Sequence, residues 1–295
     1  MREANTNFVP PIPAMSSAAQ NVVNNNDEFP PHLLHDSLRR KNVSSHQDAA
    51  PKIETLVPNA IYVVRDVLSP EECQDWITYT EDQQTTGGGR KRATWEGVSH
   101  PATKYIAHRE CGRMQKIDWN MSHRLYRRIE NIVTRISPLL NIADEKTLLA
   151  NLVKKGSAKK SDPKRHKYRP ITCNPNLRLY KYTKGQWFGR HVDGSDVIKL
   201  PPSSINNSCT TVDGIFTKLS VDDTKNKVDL QTEITVLFYL STCKGGATRF
   251  HLPHGRKNSS VSFTPQVGAV LLHVHGDNCL EHEAEPVLEG VKYGE

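Results

Sequence analysis

The amino-acid sequence predicts an α+β protein in which helices precede a β-rich barrel or double-sheet core. The first observation is a series of short β-prone runs in the second half of the chain, separated by turn residues; residues 234–240 form the longest. The second is a segment in the first half, residues 118–137, whose apolar side chains recur at helical spacing and stop before Pro138. The sequence contains no recognisable internal repeat.

The elements that precede the core have recognisable local signals. Residues 60–64 predict a short strand. Ser69 and Pro70 mark a helix start, with Ser69 as N-cap, Pro70 in the first turn and Glu72 closing a capping box. One face of this helix is expected to pack on a sheet through Cys73, Trp76, Ile77 and Thr80. The buried side of the 118–137 helix is expected to comprise Met121, Leu125, Ile129, Ile132, Val133 and Ile136.

Composition predicts the domain organisation. Residues 1–52 are rich in Asn, Pro and Ser and lack a sustained apolar period, so they predict a disordered tail that does not pack. One domain would occupy residues 53–295, with its β core at residues 173–295. Residues 234–240 are apolar almost throughout, which favours a central strand covered on both faces.

Charge and cysteine usage limit the class of protein. The net charge of +7 and pI near 9.0 permit a nucleic-acid or acidic partner without indicating one. The 6 cysteines are scattered without a CxxC pair, and no secretory signal precedes them. We therefore expect a reduced intracellular protein, cytoplasmic or nuclear. No apolar run is long enough to span a membrane.

Three polar segments are expected to be loops. Residues 87–92 combine glycines with basic residues and favour a mobile loop over a phosphate cradle. Residues 154–167 are strongly basic, which indicates a solvated loop or, alternatively, a patch for nucleic acid or another polyanion. Residues 194–229 are too long for a simple connection in a compact domain and are typical of an active-site lid.

The sequence His191-Val192-Asp193 is the strongest candidate for chemistry. In an extended segment, alternate side chains share a face, so His191 and Asp193 can reach one cation together. A neutral nitrogen and an anionic oxygen, with no thiolate nearby in sequence, suit Fe(II), Mn(II) or Zn(II). A second histidine from elsewhere would complete the facial triad of non-haem Fe(II) oxygenases. By itself the triplet is common enough to be an ordinary surface feature.

The surrounding motifs resemble a known family. Tyr182, Gly185-Gln186 and Phe188 precede His191, and the chain continues through an apolar strand to the ordered motifs GGATRF, GAVLL and HEAEPVLEGVKY. This order resembles the Fe(II)- and 2-oxoglutarate-dependent dioxygenases, most closely their prolyl 4-hydroxylase-type branch. The resemblance covers residues 58–295 and is strongest from residue 176 onward.

The resemblance implies a double-stranded β-helix, or jelly-roll, core and a set of site residues. It implies that His191, Asp193 and His282 bind the metal. Lys292 would pair with the far carboxylate of 2-oxoglutarate, since a buried ammonium requires an anionic partner. Tyr182, and less specifically Thr248, would line the same pocket.

These residues also have ordinary structural alternatives. His282 could be a surface histidine, Tyr182 a core aromatic and Thr248 a strand residue without a ligand contact. His273 and His275 share a strand face and could bind metal, although we favour packing or a supporting role. Trp187 and Arg190 are either substrate contacts or rim residues.

The resemblance further implies an oxidoreductase with Fe(II), 2-oxoglutarate and O2 as cofactors and co-substrates, commonly assisted by ascorbate (vitamin C). The substrate would be a prolyl or other protein side chain, or a small molecule. Three alternatives remain: a nucleic-acid-demethylating oxygenase, a cupin-like isomerase or hydrolase, and a catalytically inactive β-barrel binding module. Members of the family continue beyond the lysine into another strand. Because this chain ends at Glu295, we expect its last strand to be cut short and Lys292 to be loosely held.

Overall fold

A computed structural model of the chain describes residues 28–35, 51–85, 95–137, 170, 172–199, 229–252 and 259–294. Its α-helices are α1 (Pro70–Thr85) and α2 (Trp119–Ile136), and short 3-10 helices lie at Pro31–Leu33 and Gly276–Asn278. The strands of the first half are β1 (Ile53–Val57), β2 (Ile61–Val64), β3 (Glu96–His100) and β4 (Arg109–Ile117). Those of the second half are β5 (Asn176–Tyr182), β6 (Phe188–His191), β7 (Val197–Lys199), β8 (Asp229–Gln231), β9 (Ile234–Phe238), β10 (Cys243–Gly245), β11 (Thr248–His251), β12 (Ser260–Phe263), β13 (Val270–Val274), β14 (His282–Ala284), β15 (Val287–Gly290) and β16 (Lys292–Gly294).

The strands form two main antiparallel sheets. The smaller sheet has the order β1-β2-β13-β9, and the larger has the order β12-β11-β14-β6-β4-β5-β16 with β3 beside β4. Successive core strands cross between the sheets, because β9 and β13 belong to the smaller one and β11 and β14 to the larger. This alternation is the winding of a double-stranded β-helix, so the predicted fold class is confirmed.

Both predicted helices form, and the first has the predicted capping box. The Ser69 hydroxyl accepts from the Glu72 backbone N–H at 3.1 Å, and the Glu72 carboxylate accepts from the Ser69 N–H at 2.9 Å. Asp118 caps α2 by accepting from the Met121 N–H at 2.8 Å. Such a cap stabilises a helix by about 1 kcal/mol. Every apolar side chain predicted for the inner face of α2 is buried.

Alternation along the strands separates two hydrophobic cores. Tyr62 and Val64 of β2 belong to a core that includes the inner faces of both helices. Ile61 and Val63 point the other way, into a core shared with Phe250 and other side chains of the barrel interior. The helices therefore cover the outside of the barrel, which leaves its interior for the candidate site.

The segment 28–35 packs on the helices, so the prediction of a tail that does not pack is wrong for these residues. Phe29 and Leu33 are buried in the helix-side core, with the Phe29 ring centroid 5.1 Å from that of Trp76. Asp118 accepts from the Phe29 N–H at 2.6 Å while it caps α2. The sequence signal was weak because isolated apolar residues stand between polar stretches. The rest of 1–50 lies outside the described residues.

Two expectations about individual strands also need correction. β9 pairs with β13 and ends the described order of the smaller sheet, so it is not a central strand there. β16 pairs with β5 through Lys292 opposite Tyr182, so Lys292 is fixed by sheet pairing rather than loosely held. The polar run 194–229 contributes β7 and the first residue of β8, and residues 200–228 lie outside the described part.

The segments 87–92 and 154–167 lie outside the described residues, so the loop predictions made for them remain predictions. Within the described residues, no helix is long and apolar enough to cross a membrane. Cys73, Cys111, Cys173, Cys243 and Cys279 are free thiols.

Candidate metal centre and co-substrate pocket

Strand pairing brings the predicted metal ligands together. His191 ends β6 and His282 begins β14, and the two are direct partners in the register of these strands. Asp193 follows β6, with Oδ1 3.6 Å from His191 Nε2 and Oδ2 3.6 Å from His282 Nε2. One donor atom from each of the three residues lies within 4.8 Å of the others. We call His191, Asp193 and His282 the metal triad.

Hydrogen bonds to backbone carbonyls fix the orientation of both imidazoles. His191 Nδ1 lies 2.8 Å from the Gly189 carbonyl, and His282 Nδ1 lies 2.9 Å from the Leu280 carbonyl. A carbonyl oxygen can only accept, so each Nδ1 carries the proton and each Nε2 presents its lone pair. Metal-binding histidines are typically held in this way by their second nitrogen.

The electrostatics of the triad favour the protonation states that a cation requires. Burial, followed by the nearby His282, lowers the pKa of His191 to about 4, so its ring is neutral at physiological pH. Burial alone would raise the pKa of Asp193, but its interactions with His282, His273 and His191 outweigh this effect, and the pKa is lowered. Two neutral nitrogen donors and one carboxylate fit Fe(II) and similar divalent metals.

Thr235 holds the Asp193 carboxylate from the other side. Its hydroxyl donates to Asp193 Oδ2 at 2.8 Å and lies 3.0 Å from His275 Nδ1. Because the single hydroxyl proton is given to the carboxylate, the oxygen of Thr235 accepts from His275. His275 therefore reaches the triad through Thr235 and does not point a nitrogen at the metal position through this contact.

His273 and Cys279 lie beside the triad. His273 Nε2 is 3.5 Å from Asp193 Oδ2, and the Cys279 thiol accepts from the Asp193 N–H at 3.3 Å. His273, Cys279 and His282 form a second group with donor atoms within 4.8 Å of each other. No cysteine is near His191 and Asp193 in sequence, and the fold brings Cys279 back to Asp193. Burial raises the pKa of this thiol to about 11, so it is protonated and a poor ligand.

Lys292 lies in the barrel interior. Its side chain is buried, and Nζ donates to the Gly246 carbonyl at 2.8 Å. Burial lowers the pKa of Lys292 to about 8. Gly246 has φ +65°, and a Cβ there would lie 2.9 Å from the Cys243 sulfur, so the GGAT turn requires glycine to aim this carbonyl at Lys292.

Tyr182 and Thr248 line the same space. Lys292 Nζ lies 5.6 Å from the centroid of the Tyr182 ring and 5.7 Å from that of Tyr239. The Tyr239 hydroxyl is hydrogen-bonded to Thr248 Oγ1 at 2.8 Å. We call Lys292, Tyr182, Tyr239 and Thr248 the co-substrate pocket. The two tyrosine rings flank the buried ammonium of Lys292.

The inner face of β11 connects the pocket to the metal triad. Thr248 and Phe250 are two residues apart on this strand and so share a face, on which they are about 7 Å apart. The Phe250 ring stacks on His282 with centroids 5.2 Å apart. The triad and the pocket are therefore neighbouring parts of one barrel interior.

An open cleft of about 560 Å³ borders the triad on its outer side. It is lined by residues 102–108 together with Trp187, Arg190, His191 and Glu283. Trp187 stacks on His108 with ring centroids 4.2 Å apart. Both candidates for substrate contact, Trp187 and Arg190, thus line a cleft that reaches His191.

Sequence patterns did not single out several residues of this site. Tyr239 lies inside an apolar run and looked like core, and Thr235 precedes it in the same run without a motif of its own. Cys279 comes near Asp193 only through the fold. The alternation of β9 and β13 could have placed Thr235 and His273 on one sheet, since they are direct partners in its register.

Comparisons with known proteins give structural similarity only. No family model matches the chain, and no curated protein matches it in sequence. A prolyl hydroxylase of collagen type from Paramecium Bursaria Chlorella virus-1, solved with 2-oxoglutarate, is 14% identical; the match covers 80% of this chain and 92% of that one, with a TM-score of 0.39. A Pseudomonas putida prolyl-4-hydroxylase is 12% identical over 80% and 89% of the two chains, with a TM-score of 0.40. A Burkholderia pseudomallei oxidoreductase of the 2OG-Fe(II) oxygenase family is 12% identical over 80% and 82%, with a TM-score of 0.36.

Proposed function

We propose that this protein is a non-haem Fe(II)- and 2-oxoglutarate-dependent dioxygenase. The observation that carries the proposal is the presence of the metal triad and the buried Lys292 in one barrel interior. A metal triad alone would suit many metalloproteins. The buried ammonium beside the triad requires an anionic partner. A cupin-like isomerase or hydrolase would not need such a residue.

The residues of the triad would hold the metal through His191 Nε2, His282 Nε2 and the Asp193 carboxylate. Bound Fe(II) with 2-oxoglutarate supplies the chemistry that converts 2-oxoglutarate, O2 and a substrate C–H into succinate, CO2 and the hydroxylated product. Thr235 keeps the carboxylate in place, and the backbone carbonyls of Gly189 and Leu280 fix the imidazole tautomers. These contacts restrict the positions of the three side chains that would bind the metal.

The co-substrate pocket fits a dicarboxylate. Within the described residues, no carboxylate lies within 4.0 Å of Lys292 Nζ, and burial makes an uncompensated ammonium costly. A carboxylate of 2-oxoglutarate would supply the missing charge. The Tyr182 and Tyr239 rings and the Thr248 hydroxyl shape the space around it and keep bulk water away.

The cleft next to His191 is the proposed entry for the substrate. Tyr105 and Ile106 are large apolar side chains with exposed fractions of 69% and 51% beside this cleft. Exposed apolar and aromatic side chains at a concave surface are typical of a binding site. A protein side chain, prolyl or other, is the proposed substrate class. A nucleic-acid substrate rests on the basic segment 154–167, which lies outside the described residues.

Turnover of 2-oxoglutarate tests the proposal. Purified protein supplied with Fe(II), 2-oxoglutarate and air should release succinate above the level of an Asp193→Ala variant, and omission of iron should remove the difference. Ascorbate, added in a parallel reaction, should prolong turnover. Absence of succinate from iron-loaded, folded protein with a peptide library as substrate would reject the assignment.

A further inference from the structure

Arg109 lies on the inner face of the barrel, where no motif suggested a charged residue. It is the first residue of β4, and alternation places it on the same side as Cys111, which packs with Tyr182. Its neighbour His108 points the other way, toward the open cleft. The guanidinium carbon lies 4.5 Å from the Tyr180 ring centroid and 4.1 Å from that of Phe188. Arg109 therefore belongs to the interior that contains the triad.

The charge of Arg109 has no acidic partner in the part of the chain that the structure describes. No carboxylate there lies within 4.0 Å of its guanidinium, whereas Arg113 on the same strand pairs with Glu96 at 2.7 Å. The Nε of Arg109 is buried and lacks a hydrogen-bond partner among those residues. Aromatic rings compensate a buried guanidinium only in part. Among the described residues, Arg109 and Lys292 are thus two interior cations with no carboxylate within 4.0 Å.

Both of these cations lie near Tyr182. The charge of Arg109 acts on the Tyr182 hydroxyl, and Lys292 Nζ lies 5.6 Å from the centre of the same ring. Arg109 is on the metal side, because the Phe188 ring below it stacks on His191 with centroids 3.7 Å apart. The arrangement offers one positive charge near the triad and one farther from it.

We propose that Arg109 is a second anchor for the co-substrate, contacting the carboxylate of its 2-oxo acid end while Lys292 pairs with the far carboxylate. This inference rests on the proposed function. A 2-oxo dicarboxylate carries one negative charge at each end, which matches the two interior cations. The planar guanidinium lies over the Tyr180 and Phe188 rings, which orients it for carboxylate recognition.

Two ligands separate the roles of the cations. Pyruvate has the 2-oxo acid end of 2-oxoglutarate and lacks the far carboxylate. Pyruvate and 2-oxoglutarate are each titrated by anaerobic calorimetry into four Fe(II)-loaded proteins: wild type, Arg109→Gln, Lys292→Met and the control Arg113→Gln. Arg109→Gln should weaken both ligands roughly ten- to hundredfold, as expected for a lost hydrogen-bonded charge. Lys292→Met should weaken 2-oxoglutarate and leave pyruvate unchanged, and Arg113→Gln should match wild type.

The outcomes distinguish this inference from the proposed function. If wild type binds 2-oxoglutarate and Arg109→Gln binds both ligands as wild type does, the role of Arg109 is rejected and the proposed function stands. A loss confined to 2-oxoglutarate would equally reject it, because Arg109 would then act at the far end. If iron-loaded wild type binds neither ligand, the proposed function itself fails. If circular dichroism shows that Arg109→Gln is unfolded, Arg109→Lys replaces it in the titrations. This variant keeps the positive charge but lacks the paired N–H donors of the guanidinium. It should fold and should weaken the binding of both ligands to a smaller extent.

Discussion

Lys292 lies directly opposite Tyr182 in the pairing of β16 with β5, and its Nζ is 5.6 Å from the centre of the Tyr182 ring. The pairing fixes the lysine backbone through the sheet, and the Gly246 carbonyl fixes its ammonium. A strand as short as Lys292–Gly294 is therefore sufficient to hold the residue that we assign to the co-substrate.

Removal of the anionic metal ligand should abolish metal binding. Asp193→Ala leaves His191 and His282 facing each other without a negative charge, so iron affinity should fall by more than about a hundredfold. Metal content after dialysis measures this directly. Asp196→Ala removes an exposed carboxylate three residues later and should retain the metal of wild type. Equal iron content in both variants would contradict the triad.

Thr235→Val should weaken metal binding without removing a ligand. The variant keeps the side-chain volume but loses the hydrogen bond to Asp193 Oδ2 and the link to His275. Loss of such a supporting contact typically lowers metal affinity by about 10–100-fold. Competition with a chelator gives the constant. Thr232→Val, in a partly exposed turn of the same region, is the matched control and should not change it.

Co-substrate affinity should depend on pH through Lys292. Burial lowers the pKa of Lys292 to about 8 in the free protein, despite the opposing charges of Cys243 and Glu285. Only the ammonium form pairs with a carboxylate, so binding above pH 8 requires proton uptake. Affinity should then decrease by roughly tenfold per pH unit. Calorimetry across this range tests the point, and Lys292→Arg should lack the dependence. A flat profile for wild type would contradict the pairing.

The segment 28–35 should be necessary for stability. Phe29→Ala removes a buried ring from its contacts with Trp76 and Tyr79, and such truncations lower the free energy of unfolding by about 3–5 kcal/mol. Thermal unfolding measures the loss. Deletion of residues 1–27 should leave the melting temperature unchanged, because that composition does not favour packing. If both variants melted like wild type, the packing of Phe29 would contribute nothing.

Local signals predicted much of this molecule, and long-range contacts account for what they missed. Ser69 and Glu72 form the expected capping box because both partners lie within one helical turn. His191, Asp193 and His282 meet as the ordered motifs implied, and their roles stay predictions until tested. Phe29 escaped prediction because its partner Asp118 is 89 residues away. Arg109 escaped because a single arginine at a strand start looks solvent-exposed until the sheet curls around it.

The most direct measurement is an anaerobic titration of 2-oxoglutarate into Fe(II)-loaded protein, followed by the metal-to-ligand absorption band. Wild type should develop a saturable band. Lys292→Met should hold the same amount of iron but bind 2-oxoglutarate at least roughly a hundredfold more weakly, since loss of one partner of a buried charge pair costs about 3–5 kcal/mol. Lys244→Met, which removes an exposed lysine of β10, should match wild type. Absence of a band in iron-loaded wild type, or equal affinity in wild type and Lys292→Met, would contradict the assignment.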